Sequence, residues 1–108
     1  MASSDNKVAI VTGGVSGIGA QLTRTLIESG WVVVGLDIPA QEPLAQKLSD
    51  EFEDSFEFMS CDVTSYADLS LCFSKTFASR GRIDAFCSNA GLVDKSSLYV
   101  FESRGKTE

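Results

Sequence analysis

Residues 8–19 read Val8-Ala9-Ile10-Val11-Thr12-Gly13-Gly14-Val15-Ser16-Gly17-Ile18-Gly19, and this stretch decides the fold. Val8 to Val11 is a short, continuously apolar run of the kind that is buried on both faces of a parallel sheet. After Gly17 the residues Ile18, Leu22 and Leu26 form one apolar stripe at helical spacing, and Gly30 supplies a stop. A strand that passes through Gly13, Gly17 and Gly19 into a helix makes a turn with no Cβ to hold a ligand away. The helix that follows aims its free N–H groups and the positive end of its dipole at the same place, which suits an anion such as a pyrophosphate. Gly19 lets the helix pack close to the sheet, while Thr12 and Ser16 offer hydroxyls to brace the turn. Three glycines alone also occur in turns that bind nothing. Their place between a strand and a helix favours the ligand.

Working outward, the same alternation repeats. Further apolar runs occur at Trp31–Val34, Phe56–Met59 and Ile83–Cys87. Pro43 to Phe52 reads as a second helix, entered after Pro39 ends the preceding strand. A third helix starts near Ser65, with Asp68 three residues on as in a capping box. Its apolar stripe is Leu69, Cys72, Phe73, Thr76 and Phe77, and Gly81 ends it. The order β-α-β-α-β-α-β predicts an α/β, doubly wound parallel sheet. By the right-handed crossover rule the first two helices cover one face and the third crosses to the other. From Leu92 the pattern fades; Ser96 to Phe101 fits a helical turn, and Arg104 to Glu108 a polar tail.

Composition narrows the function. The 108 residues make one domain at most, with a core that removes roughly two-thirds of the unfolded surface from water. The net charge is −6 and the nine Lys and Arg are scattered, so no basic face for nucleic acid is expected. There is no histidine, and Cys61, Cys72 and Cys87 have no C-x-x-C spacing. This argues against zinc sites and against Ser-His-Asp or Cys-His catalysis, and reads the cysteines as buried apolar side chains in a reducing cytoplasm. No apolar run is long enough for a bilayer, so no membrane partner is expected.

Asp37 ends the second apolar run at the distance where a carboxylate meets the adenosine ribose. It would accept hydrogen bonds from both ribose hydroxyls and repel a 2′-phosphate, and neither Ile38, Pro39, Val15 nor Ser16 is basic. NAD is therefore expected in preference to NADP. An aspartate that merely caps the strand end is the competing reading.

Thr12-Gly13-x-x-x-Gly17-Ile18-Gly19 resembles the cofactor fingerprint of the short-chain dehydrogenases/reductases. Asp62-Val63 is similar to the family's adenine-contacting pair, and Ser88-Asn89-Ala90-Gly91 to its Asn-Asn-Ala-Gly element, with Ser88 in place of the first Asn. The wording of the glycine loop and of Cys87–Gly91 is most similar to fungal members related to 15-hydroxyprostaglandin dehydrogenase. The resemblance implies a Rossmann-type sheet with strands in the order 3-2-1-4, truncated after the fourth. It implies a cofactor site of Gly13, Ser16, Gly17, Ile18, Gly19, Asp37, Asp62, Val63, Asn89, Ala90 and Gly91. In it, Asn89 steadies the sheet end, while Ala90 and Gly91 leave room beside the nicotinamide ribose. Residues 1–6 are then a disordered start, 7–93 the NAD-binding portion, and 94–108 a polar tail or the start of a further segment.

The family moves a hydride between NAD(P) and a secondary alcohol or carbonyl, using a Ser and a Tyr-x-x-x-Lys pair. Such a Tyr must lose its proton far below its ordinary value near 10, which calls for a neighbouring cation. Here Tyr66 is followed four residues later by Ser70, and Tyr99 by Ser103. No catalytic residue is therefore assigned, and an alcohol or carbonyl substrate is expected only in a full-length relative. The expectations left open are the amino-terminal half of an NAD-dependent enzyme, a catalytically inactive nucleotide-binding or regulatory module, and the product of a degraded gene. The fourth strand is expected to form an apolar sheet edge prone to self-association.

Overall fold

The computed structural model describes residues 6–89. Strand β1 (Val8–Thr12) runs through the glycine turn into helix α1 (Gly17–Glu28). Strand β2 (Val32–Asp37) leads through a short turn at Pro39–Gln41 to helix α2 (Glu42–Phe52). Strand β3 (Phe56–Ser60), helix α3 (Tyr66–Arg80) and strand β4 (Ala85–Cys87) complete the order. The four strands form one parallel sheet, as the alternation predicts, in the order β3-β2-β1-β4 that the family resemblance implies.

Every residue of β1 is buried, as are Val32 to Leu36 of β2. That is why these runs are apolar without alternation. Val11, Val15 and Val33 pack with Ala45 and Leu48 of α2 and, from α1, with Leu22, Leu26 and Ile27. Val8, Ile10, Val32, Val34 and Leu36 pack instead with Cys72, Leu69 and Phe73 of α3. The first two helices thus share one face and α3 covers the other, the arrangement that right-handed crossovers produce. Arg24 of α1 further ties α2 down, with an ion pair to Glu51 at 2.7 Å and its guanidinium 5.5 Å from the centre of the Phe52 ring.

Several details depart from the sequence expectations. Trp31 does not join β2; its N–H completes the end of α1 by donating to the Leu26 carbonyl, beside Gly30 at φ +98°. Ile83 likewise precedes β4, because Asp84 makes its own link to β1. Ile18 is 79% exposed and so leaves the apolar stripe of α1, whose buried residues are Gly19 and Thr23. Phe77 is 58% exposed, since the buried side of α3 runs through Cys72 and Thr76 instead. Ser65 caps α3, accepting from the Asp68 N–H. The reciprocal half of the capping box is absent, because the Asp68 carboxylate accepts from Asp62 N–H.

Candidate functional site

In a parallel sheet the carboxyl ends of all strands lie along one edge, where ligands of open α/β folds bind. Register aligns Thr12 with Leu36, Asp37 with Ser60, and Val11 with Cys87. Three hydrogen bonds join the segments leaving these strands. Gly13 N–H donates to Leu36 O at 2.7 Å, Cys61 N–H to Asp37 O at 2.8 Å, and Asn89 N–H to the Thr12 hydroxyl oxygen at 2.6 Å. The Thr12 hydroxyl also points to Cys87 O at 3.5 Å. The glycine turn, Asp37, Asp62-Val63 and Asn89 therefore share one edge. Ala90 and Gly91 lie outside the described residues, as do Tyr99 and the helical turn expected at Ser96–Phe101.

The turn is shaped for close approach. Gly17 sits at φ +57°, a conformation that a side chain strains, while the space around its missing Cβ is open. At Gly19 the reason for glycine is different: a Cβ would overlap the Gly13 carbonyl oxygen and come within 2.6 Å of Asn89 Nδ2. Ser16 occupies the N-cap of α1 with extended backbone, but its side chain makes no capping hydrogen bond. The bracing expected of the Ser16 hydroxyl is thus not what holds the turn. Its backbone carbonyl accepts from Ala20 N–H, and the side-chain brace comes from Thr23, whose hydroxyl donates to Gly14 O at 2.9 Å. The periodicity offered no signal for Thr23, because a polar residue among apolar ones reads as surface.

The first N–H groups of a helix have no acceptor within it, and no acidic side chain lies in the first turn of α1. That donor set suits an anionic group, and at Gly17, where no atom lies within 4 Å of the missing Cβ, the approach to it is open. Exposed Ile18 stands beside this opening.

Asp37 is half-buried at the end of β2, and its Oδ1 accepts from the Ile38 N–H at 2.8 Å. Asp62 holds the loop after β3 in shape, its Oδ1 accepting from Thr64 N–H at 3.0 Å and from the Thr64 hydroxyl at 2.6 Å. These two bonds, the hydroxyl first, keep the Asp62 carboxyl below its ordinary range. Val63 packs against the core on the α3 side. Next to it Cys61 is buried, and burial together with the neighbouring Cys72 thiol pushes its thiol up to about 12. Such a thiol stays protonated and serves as packing, as the sequence suggested.

The sequence profile for short chain dehydrogenases matches residues 7–104. The chain is 40% identical to the short-chain dehydrogenase/reductase prx6 of Penicillium rubens, an alignment covering 94% of this chain and 36% of that protein. It is 36% identical to (+)-borneol dehydrogenase 1 of Salvia officinalis over 92% of this chain and 37% of that one. Among solved structures it superposes on 3-ketoacyl-(acyl-carrier-protein) reductase from Brucella melitensis complexed with NADH. The TM-score is 0.71 at 25% identity, over 84% of this chain and 40% of that chain. The chain thus spans somewhat more than a third of the length of these relatives. With the glycine turn, the sheet order and these matches in agreement, the chain belongs to the short-chain dehydrogenase family and carries its Rossmann-fold NAD(P)-binding portion.

Proposed function

We propose that this chain binds NAD in preference to NADP along the carboxyl edge of its sheet. The observation that carries the preference is Asp37, which ends β2 one strand away from the glycine turn with no basic residue following it. In this reading Gly13, Ser16, Gly17, Ile18 and Gly19 hold the pyrophosphate at the start of α1. Asp37 accepts the adenosine ribose hydroxyls, Asp62 and Val63 border the adenine, and Asn89, Ala90 and Gly91 border the nicotinamide side. The bound dinucleotide supplies hydride transfer to or from a carbonyl or secondary alcohol. The residues of this chain bind and orient it; none of them stands in a Tyr-x-x-x-Lys pair, so the 108 residues alone hold the cofactor without turnover. In a protein that also carries the catalytic Ser and Tyr-x-x-x-Lys, the same edge serves an alcohol or carbonyl oxidoreductase.

Calorimetric titration of the purified chain with NAD and NADP tests this. Saturable NAD binding with weaker NADP binding is expected. Equal affinities would remove the role given to Asp37, and no saturable binding of either below millimolar concentration would remove the cofactor reading itself.

Buried Cys61 and Cys72, not joined to each other, fit a reducing cytoplasmic setting. Scattered positive charge gives no footing for nucleic acid, and among the described residues no helix is long and apolar enough to cross a membrane. Self-association through the β4 edge is supported by the face beside it. There α3 shows Tyr66 and Phe77 at 86% and 58% exposure, and Tyr66, Leu69, Ser70 and Phe73 line a groove of about 280 Å³.

A further inference from the structure

We infer that Thr23 is a positioning residue for the phosphate-binding turn, holding it in the conformation that admits the cofactor through a hydrogen bond to the Gly14 carbonyl. The inference rests on the cofactor reading above.

Thr23 lies in α1, one helical turn beyond Gly19, and has no exposed surface. Its neighbours on the inward side are Leu22, Leu26 and Ile27, all packed into the core. A hydroxyl is costly in such a place unless it is bonded, and a helical threonine normally has a local acceptor in the carbonyl four residues before it. Thr23 bonds outside its helix instead, to Gly14 O nine residues earlier in the chain, at 2.9 Å. Among the described residues this is the one side-chain hydrogen bond made to the backbone of residues 13–17.

The surroundings show why one bond matters. The turn must carry Gly13 at φ +62° and Gly17 at φ +57°. Gly14 between them is wedged, since a Cβ there would meet Val11 O at 2.9 Å and Thr23 Oγ1 at 3.2 Å. The Thr12 hydroxyl is committed to Cys87 and Asn89, and the Ser16 hydroxyl does not cap the helix. The Gly13 N–H bond to Leu36 O pins only the entry to the turn. Thr23 is thus the side chain that fixes the middle. Without its donor the Gly14 carbonyl loses its partner in the interior, and the peptide is driven to turn toward other donors, taking the neighbouring glycines with it.

The test uses Thr23→Val, which keeps shape and removes the hydroxyl, and Thr23→Ser, which keeps it. Each variant and the wild type are titrated with NAD, ADP and adenosine, with binding normalised to the folded fraction. The expected result is a roughly tenfold loss of affinity for NAD and ADP in T23V, the size expected when a buried carbonyl loses its donor. Adenosine affinity should be unchanged, and T23S should recover the loss. Equal loss for all three ligands, or unchanged NAD and ADP binding in T23V, would overturn the positioning role and leave Thr23 as packing. A wild type that binds NAD while T23V matches it refutes only Thr23; a wild type that binds neither NAD nor ADP refutes the cofactor reading and this inference with it.

Discussion

The two ends of β1 are joined to the β4 segment by opposite kinds of chemistry. At the amino end, Val8 N–H donates to the Asp84 carboxylate at 2.8 Å, and Asp84 N–H donates back to Val8 O at 2.7 Å. Arg82 then grips the same carboxylate with two bonds, Nε to Oδ2 at 2.8 Å and Nη2 to Oδ1 at 2.9 Å. At the carboxyl end the link is the neutral Thr12 hydroxyl, which receives Asn89 N–H and faces Cys87 O. One end is locked by a full charge pair and the other by a hydroxyl. With the cofactor site placed as proposed, stability and binding fall at opposite ends of the strand. A fixed ion pair beside the glycine turn would compete with or repel an anion, whereas a hydroxyl leaves the field there to the start of α1.

This separation can be broken from either end. The largest effect is expected from Gly19→Ala, whose Cβ collides with the Gly13 carbonyl oxygen. Saturable NAD binding should vanish in calorimetry, and denaturant melts should show a loss of about 1–3 kcal/mol, the range for overpacked sites. Next comes Asp84→Ala, which leaves the N–H of buried Val8 without its acceptor. A cost of about 1–3 kcal/mol in urea unfolding is expected, with NAD affinity per folded molecule unchanged. Lost affinity there would contradict the separation.

The Arg82 hydrogen bonds, more than any other influence, hold the Asp84 carboxyl below its ordinary range. A carboxyl whose folded value is depressed stabilises the protein above its unfolded value, about 3.9, and that stabilisation is lost as pH falls through the folded value. The acid arm of the stability profile should therefore be flatter in Asp84→Asn than in the wild type below about pH 4. An unchanged acid arm would show that the pair does not titrate with folding. A smaller effect is expected from Asp37→Ser: stability nearly constant, with the NAD-over-NADP affinity ratio falling roughly tenfold, or about 1.4 kcal/mol. The smallest is Phe77→Ser on the exposed side of α3, within about 0.5 kcal/mol in stability. It should still reduce self-association in sedimentation experiments if that face and the β4 edge mediate contact.

The sheet was legible because burial on both faces leaves a plain mark, as in Val8–Val11 and Val32–Val34, and because Gly30 and Gly81 stop helices through positive φ. Gly17 and Gly19 were legible for the same reason, since each position excludes a side chain by conformation or by space. Other features had no local mark. Ile18 and Phe77 have core-like side chains at helical spacing, yet where the helix lies on the sheet decides their exposure. Thr23 and Asp84 are polar residues whose partners, Gly14 and Val8, are brought to them only by the tertiary fold. The short-range pattern locates an element; the pairing of a buried polar side chain depends on the assembled structure.

The most direct measurement is amide chemical-shift mapping of the isotope-labelled chain during NAD titration. Saturable shifts are expected at Gly13 to Gly19, Asp37, Cys61 to Val63 and Asn89, with Val8, Arg82 and Asp84 unmoved. Shifts centred on the Arg82–Asp84 end, or none at the glycine turn at saturating NAD, would contradict the proposed cofactor site.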